Sequence, residues 1–185
     1  MQIFKKLSKG LLLTSLFLTL TAPVNAAKKD LAQEITIKSK RQSADLKNKI
    51  ASYLDEVSID QGSISIVADI VQVYSSVDEQ TKEKSDTYLA KGNPAVFKQE
   101  LDDGSLISLQ ANEIRYQPDL HLITVSGNAQ VKQAGSQVTG ETITYNTSSE
   151  KLEAQSSDNE SVTTILQPAQ IKAQQDKKSN DNNNQ

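Results

Sequence analysis

The chain has 185 residues, of which 36% are hydrophobic and 4% aromatic, with no Trp, no Cys and a formal net charge of −3 at pH 7. The missing cysteines exclude a disulfide scaffold and thiol chemistry, and an acidic balance without a basic stripe argues against nucleic acid as a partner. The length suits one domain with a modest core.

The N-terminus reads as a secretory signal peptide. Lys5, Lys6 and Lys9 form a basic start, residues 10–22 are apolar, and Val24 and Ala26 place small residues before a cleavage point after Ala26. The apolar stretch is shorter than the ~20 residues a membrane span needs, and an N-terminal lipid anchor would require a cysteine. Removal of 1–26 takes the three lysines with it and shifts the net charge from −3 to −6. Residues 27–171 form the expected domain. Residues 172–185, KAQQDKKSNDNNNQ, hold one apolar residue, Ala173, and read as a disordered polar tail.

Between the ends the pattern is all-β. Short alternating runs rich in Val, Ile, Thr and Tyr fall at 35–39, 57–61, 64–68, 96–101, 106–111, 113–117, 128–133, 141–146 and 162–167. Turn sequences lie at Asp60-Gln61-Gly62, Asp102-Asp103-Gly104, Gln117-Pro118-Asp119, Ser126-Gly127-Asn128 and Ala134-Gly135-Ser136. Residues 40–56 compete as a helix, because Leu46, Ile50, Tyr53 and Leu54 have helical spacing; the repeat described next argues for strands instead.

Residues 62–75, GSISIVADIVQVYS, alternate on even numbers at Ile64 and Ile66 and on odd numbers at Val71 and Val73. A single regular strand cannot do this, since its side chains alternate with a period of two. The same pair-then-small-residue pattern ends at Ser39, Ala68, Ala111 and Gly140. A shift of 72 carries Ser39 onto Ala111 and Ala68 onto Gly140, with Ile35, Ile37, Ile66 and Val71 meeting Ile107, Leu109, Val138 and Ile143. This is an internal duplication. Its physical reading is a row of corners: each strand bends at a small residue, and a bulge resets the alternation so that both sides of the bend face inward. Stacked corners put the strands in two facing layers.

No catalytic constellation stands out. His121 is the single histidine and lacks metal-ligating partners; phosphate-binding glycine loops are missing; Arg41 and Arg115 are the only arginines. A carbohydrate enzyme running on carboxylates alone would need acids gathered in a cleft, whereas here they are spread over turns.

In order along the chain, ITIKS (35–39), GSISIVAD (62–69), GNPAVFKQ (92–99), VSGNA (125–129), GETITY (140–145) and VTTILQP (162–168) resemble the OstA-like family of periplasmic lipopolysaccharide-transport proteins. The segment 40–54 departs from it, lacking a turn glycine near Asn48. The resemblance implies a twisted, open-ended β-jelly roll of about sixteen consecutive antiparallel strands in the periplasm of a Gram-negative cell. It also implies an apolar groove that shields lipid A acyl chains, head-to-tail self-association, and docking to an LptC-like inner-membrane anchor and an LptD-like outer-membrane translocon. No cofactor or metal is implied, and no enzymatic activity.

The groove residues expected on this basis are Ile35 and Ile37 in the first run, then Ile64, Ile66, Val71 and Val73 around Ala68. Phe97, Ile107, Leu109, Ile114 and Tyr116 follow, then Val125, Val131, Val138, Ile143 and Tyr145. The family points most directly to Ile35, Ile37, Phe97 and Tyr116. The low aromatic content leans towards an open groove, while the same residues would serve equally in the filled core of an exported structural β-solenoid or sandwich without lipid. Residues 35–39 and 162–167 are the expected edge strands.

Overall fold

The computed structural model describes residues 30–77 and 79–167; the expected signal peptide and polar tail lie outside the described residues. Ten strands follow one another: β1 (Thr36–Lys38), β2 (Arg41–Asp45), β3 (Ile50–Gln61), β4 (Ile64–Val77), β5 (Lys84–Glu100), β6 (Leu106–Gln117), β7 (Leu122–Gln133), β8 (Ser136–Asn146), β9 (Lys151–Gln155) and β10 (Thr163–Ile165). All pair antiparallel in one sheet of order β1-β3-β4-β5-β6-β7-β8-β10, with β2 also on β3 and β9 also on β8. The segment with helical spacing at 40–56 is strand, turn and strand: Ile50, Tyr53 and Leu54 lie on β3 against β4, while Leu46 stands exposed in the turn.

The corners are present, and on every long strand. The ladder slips register between Leu54 and Val57, Val67 and Ile70, Lys91 and Ala95, Gln110 and Glu113, and Ser126 and Ala129. β8 changes partner at Gly140-Glu141, pairing with β10 before it and β9 after it. On β4 the buried positions run Ile64, Ile66, Ala68 and then Val71, with Asp69 and Ile70 both exposed. That is the slip in phase read from the sequence, produced by a bulge. Six of the ten strands among the described residues are therefore continuous but bent, so the expected count of about sixteen is not met by whole strands.

Bending every strand at its middle folds the sheet into two facing arms. One arm comprises β1, β10 and the segments 57–61, 64–68, 95–100, 106–111, 129–133 and 136–140. The other comprises β2, β9 and the segments 50–54, 70–77, 84–91, 113–117, 122–126 and 142–146. Inward side chains of both arms meet in a single apolar cluster. Small residues line the inside of the bend: Ala68, Ala95, Ala111 and Ala129 are buried there.

Ser126-Gly127-Asn128, expected as a turn between strands, is instead the corner of β7, with positive φ at Gly127 (77°) and Asn128 (55°). The corner of β3 uses two non-glycine residues in the same left-handed region, Asp55 (65°) and Glu56 (51°). The duplication extends to this backbone detail. Left-handed Lys49, Asp55, Glu56 and Gly62 fall 72 residues before left-handed His121, Gly127, Asn128 and Ala134. The bond from Ser75 N–H to the Lys49 carbonyl (3.1 Å) recurs from Thr147 N–H to the His121 carbonyl (2.8 Å). Lys49 stands next to where a turn glycine was expected, and Asn48 completes the turn by donating to the Asp45 carboxylate from its backbone N–H (3.0 Å) and its amide (2.8 Å). His121 ends a short 3-10 turn, Pro118–Leu120.

At the last corner Gly140 is required by space. A Cβ there would lie 2.8 Å from the backbone carbonyl oxygen of Gln155, which is fixed by the β8–β9 ladder and cannot swing away. Gly140→Ala is expected to lower stability by about 1–3 kcal/mol, as overpacking against backbone does; a urea unfolding curve with unchanged midpoint would contradict this.

Candidate functional site

The space between the arms is the candidate site. Of the sixteen groove residues expected from sequence, twelve are buried in it: Ile64, Ile66, Val71, Phe97, Ile107, Leu109, Ile114, Tyr116, Val125, Val131, Ile143 and Tyr145. The other four, Ile35, Ile37, Val73 and Val138, are half-buried and pack against the same cluster. All sixteen therefore face one interior. Sequence reasoning missed Val57, Ile59, Tyr88, Leu101 and Ile123, which share it. Val57, Ile59 and Ile123 carried a signal, since each alternates with a neighbouring inward residue beside a corner.

The interior is filled by the chain's own side chains, against the lean towards an open groove. The few aromatics are concentrated there. Tyr88 and Tyr116 sit with ring centroids 5.9 Å apart, and Phe97 and Tyr145 6.1 Å apart, each pair adding about 0.5–1.5 kcal/mol beyond area burial. Phe97 and Tyr116 are fully buried, so a low overall aromatic content did not mean a hollow centre.

Opposite the corners, the free ends of the two arms meet along a polar seam. Tyr116 Oη donates to Gln61 Oε1 (2.5 Å), and Tyr145 Oη donates to Gln99 Oε1 (3.1 Å); in each pair the Tyr belongs to one arm and the Gln to the other. Gln99 Nε2 also reaches the Thr147 carbonyl (3.4 Å), and Asp102 N–H donates to Glu150 Oε1 (3.0 Å). Gln61, Gln99 and Thr147 are buried, which is tolerable only because they are bonded. Each such bond contributes a net of about 0.5–1.5 kcal/mol, against about 1.5–3 kcal/mol for burying one large apolar side chain. The apolar layer thus supplies most of the adhesion, and the seam sets how the arms close.

The N-terminal residues 30–34 lie on this seam. Asp30 is buried. Its carboxylate accepts from Ser63 N–H (2.7 Å), Ser63 Oγ (2.6 Å) and Gln99 Nε2 (3.4 Å). Gln61 Nε2 donates to the carbonyls of Leu31 (3.4 Å) and Gln33 (3.1 Å). Nothing in the sequence marked these polar residues, since Asp, Gln and Ser near turns read as ordinary surface.

The two ends of the fold are not capped by the described residues. Ile35 and Ile37 at the β1 end, and Val138, Leu152 and Ala154 at the β9–β10 end, pack on the cluster yet remain half-exposed. The strip between these ends crosses seven inter-strand steps, roughly 34 Å at about 4.8 Å each. Beyond it β10 is exposed, as are Val162, Ile165 and Leu166. Both expected edges, 35–39 and 162–167, are therefore terminal strands.

Burial raises the phenol pKa of the three interior tyrosines: Tyr88 is pushed up to about 12, with Asp86 adding to the effect, and Tyr116 and Tyr145 rise further. All three keep their protons to higher pH in the folded state, Tyr116 and Tyr145 as donors to Gln61 and Gln99. In the unfolded chain they ionise near 10. Above that pH the unfolded state has lost protons that the folded state keeps, so stability is whole below pH ~10 and falls as pH rises towards 12. Urea titrations from pH 9 to 11.5 are expected to show this fall, made shallower by Tyr88→Phe; an equal slope in the variant would remove Tyr88 as a cause.

Among the described residues no group of three or more His, Cys, Asp or Glu could hold a metal ion. A family model described as "LptA/(LptD N-terminal domain) LPS transport protein" matches residues 36–151. The lipopolysaccharide export system protein LptA of Escherichia coli (strain K12) is 35% identical over 172 residues, covering 93% of this chain and 91% of that protein. The protein of the same description from Haemophilus influenzae is 32% identical over 167 residues, covering 90% and 96%. Among solved structures, LptH of Pseudomonas aeruginosa is described as the LptA-homologous periplasmic component of the lipopolysaccharide transport device. It superposes with a TM-score of 0.66 at 22% identity, covering 76% of this chain and 99% of that chain.

Proposed function

The chain belongs to the LptA/LptD N-terminal family of lipopolysaccharide transport proteins, and from that premise we propose that it is a periplasmic bridge carrying lipopolysaccharide from the inner to the outer membrane. The observation that carries this reading is the apolar strip itself: it runs the whole length of the folded sheet and stays half-exposed at both ends. Each methylene left in water costs about 0.8 kcal/mol, so an acyl chain of a dozen carbons costs on the order of 10 kcal/mol to expose. Movement across an aqueous compartment needs an apolar track without a gap, and an uncapped strip can be continued by a neighbour.

The sixteen inward residues would line that track, with Ile35, Ile37, Phe97 and Tyr116 as the first contacts expected. The edges support head-to-tail assembly. β1 and β10 offer unpaired backbone that another chain can extend by strand addition. Their charges also lean opposite ways: from Lys38 to Lys49 there are five basic residues against Asp45, of which Lys38, Lys40 and Arg41 pair with Asp60, Glu56 and Asp55 of the adjoining β3, and from Glu141 to Glu160 five acids against Lys151. A contact between unlike ends propagates into a filament, and matching folds in an LptC-like anchor and an LptD-like translocon would terminate it. The reading includes neither cofactor nor catalysis.

The filled interior is the observation that favours the other reading, an exported structural β-solenoid or sandwich without lipid. A photo-crosslinking residue at position 97 or 116 separates the two. Both are expected to capture labelled lipopolysaccharide in cells, while the exposed position 98 captures little; equal capture at all three would leave the structural reading. For assembly, a chain trimmed of residues 162–171 is expected to lose concentration-dependent oligomers in light scattering, and unchanged scattering would count against docking through β10.

A further inference from the structure

The two glutamines that tie the arms together are the same two that hold the N-terminal segment. Gln61 offers its oxygen to Tyr116 across the seam and its nitrogen to the carbonyls of Leu31 and Gln33. Gln99 offers its oxygen to Tyr145 across the seam and its nitrogen to Asp30. Both amides are thus oriented from two sides. Leu31 packs against the interior cluster from the same edge, so the segment closes the apolar layer as well as the polar one.

The fit at Asp30 is unusually close. A Cβ on Gly62 would lie 2.3 Å from Asp30 Oδ1 and 2.8 Å from Asp30 Cα. Gly62 also has a φ of 61°, so glycine serves both the turn and the approach of Asp30. The carboxylate is then held by the backbone N–H and hydroxyl of Ser63 in that turn. Yet the segment makes no ladder with any strand: β1 starts only at Thr36. It is attached through side chains and its own carbonyls, and it can leave without breaking the sheet.

We propose that residues 30–34 are a displaceable strap, latched by Asp30, and that lipid acyl chains enter the interior sideways through the seam when the strap lifts. The inference rests on the lipid-carrying reading above. Release of the strap frees the nitrogen of Gln61 and leaves that of Gln99 with the Thr147 carbonyl (3.4 Å) in place of two partners, and so loosens the amide oxygens that hold Tyr116 and Tyr145. The arms then part at the seam while the corners act as the hinge. The freed Gln, Tyr and Ser groups stand at the rim, where water or the hydroxyl and amide groups of a sugar headgroup can replace the bonds they lost. Entry by this route needs no acyl chain to thread the whole length from one end.

The chain has no cysteine, so a paired substitution can lock the strap cleanly. The test uses the full mature chain, fluorescently labelled lipopolysaccharide, and stopped-flow uptake. Asp30→Cys with Ser63→Cys, oxidised, is expected to slow uptake about tenfold or more, with thiol titration confirming the bridge and reduction raising the rate to that of Asp30→Ala, since the carboxylate latch is gone. Asp30→Ala removes the latch and is expected to speed uptake about fivefold, because uptake scales with the fraction of open molecules. Where the bridge does not close, Asp30→Ala decides alone. Wild-type uptake with both variants unchanged overturns the strap and leaves the lipid reading standing; no uptake by the wild-type chain overturns both. Hydrogen exchange at residues 31–34 faster than at 64–66 is the accompanying expectation, and equal protection would place the segment in the folded core.

Discussion

The fold depends on its corners staying in step. Side chains alternate along a strand, so a neighbour that bent one residue early would turn the whole of its second arm inside out. The bulges at 55–56, 68–69, 92–94, 111–112, 127–128 and 140–141 therefore form one line across the sheet. Their cost is local. Asp55, Glu56 and Asn128 each hold a left-handed backbone, worth of order 1–3 kcal/mol of strain apiece. The gain is that inward residues on both sides of each corner reach one cluster, at about 1.5–3 kcal/mol for each large side chain buried. Several such side chains per strand outweigh one strained corner. The facing arms, the seam and the uncapped ends all follow from that line.

The sequence showed this line on alternate strands only. On β4, β6 and β8 the corner is approached through an inward small residue, Ala68, Ala111 or Gly140, and the alternation slips visibly behind it. On β3 and β7 the same bend is made by paired left-handed residues, Asp55-Glu56 and Gly127-Asn128. Ser126-Gly127-Asn128 reads as a reversal between strands, and neither Asp55-Glu56 nor Gly92-Asn93-Pro94 on β5 follows the small-residue pattern. The duplication could have repaired this, because the shift of 72 that joins Ser39 to Ala111 also joins Asp55 to Gly127. The inward apolar residues were legible for the usual reason: period and residue type fix which face is buried. The seam was not. Asp30, Gln61 and Gln99 take their burial from partners 28 to 69 residues away, and no local pattern encodes that. The family came from the resemblance, which the 35% and 32% identities to the two LptA proteins bear out; the cargo rests on the proposal above.

A filled interior and a lipid cargo are compatible if the two exchange similar contacts. The buried side chains that meet across the layer are Ile, Leu, Val, Phe and Tyr, and an acyl chain between them would replace one set of apolar contacts by another. The transfer term nearly cancels in such an exchange, because no apolar surface returns to water. What does not cancel is the polar edge. Hydrogen bonds along the seam are lost on opening, and their partners must be found again in water or in the cargo's own headgroup. The seam therefore governs access more than the apolar layer does.

The same reasoning explains why the ends differ from the middle. In the middle, each inward residue is covered by the opposite arm and by neighbours on both sides. At β1 and at β9–β10 the sheet simply stops, leaving Ile35, Ile37, Val138, Leu152 and Ala154 half-covered and the backbone of β10 exposed. Soluble proteins usually blunt such edges, since an unpaired apolar strand invites association. Here one edge carries Lys38, Lys40, Arg41, Lys47 and Lys49 and the other carries Glu141, Glu150, Glu153, Asp158 and Glu160. In the proposed assembly like edges repel and unlike edges attract, which would turn the hazard into a direction. In the head-to-tail assembly proposed above, the apolar strip would continue from the tail of one chain to the head of the next.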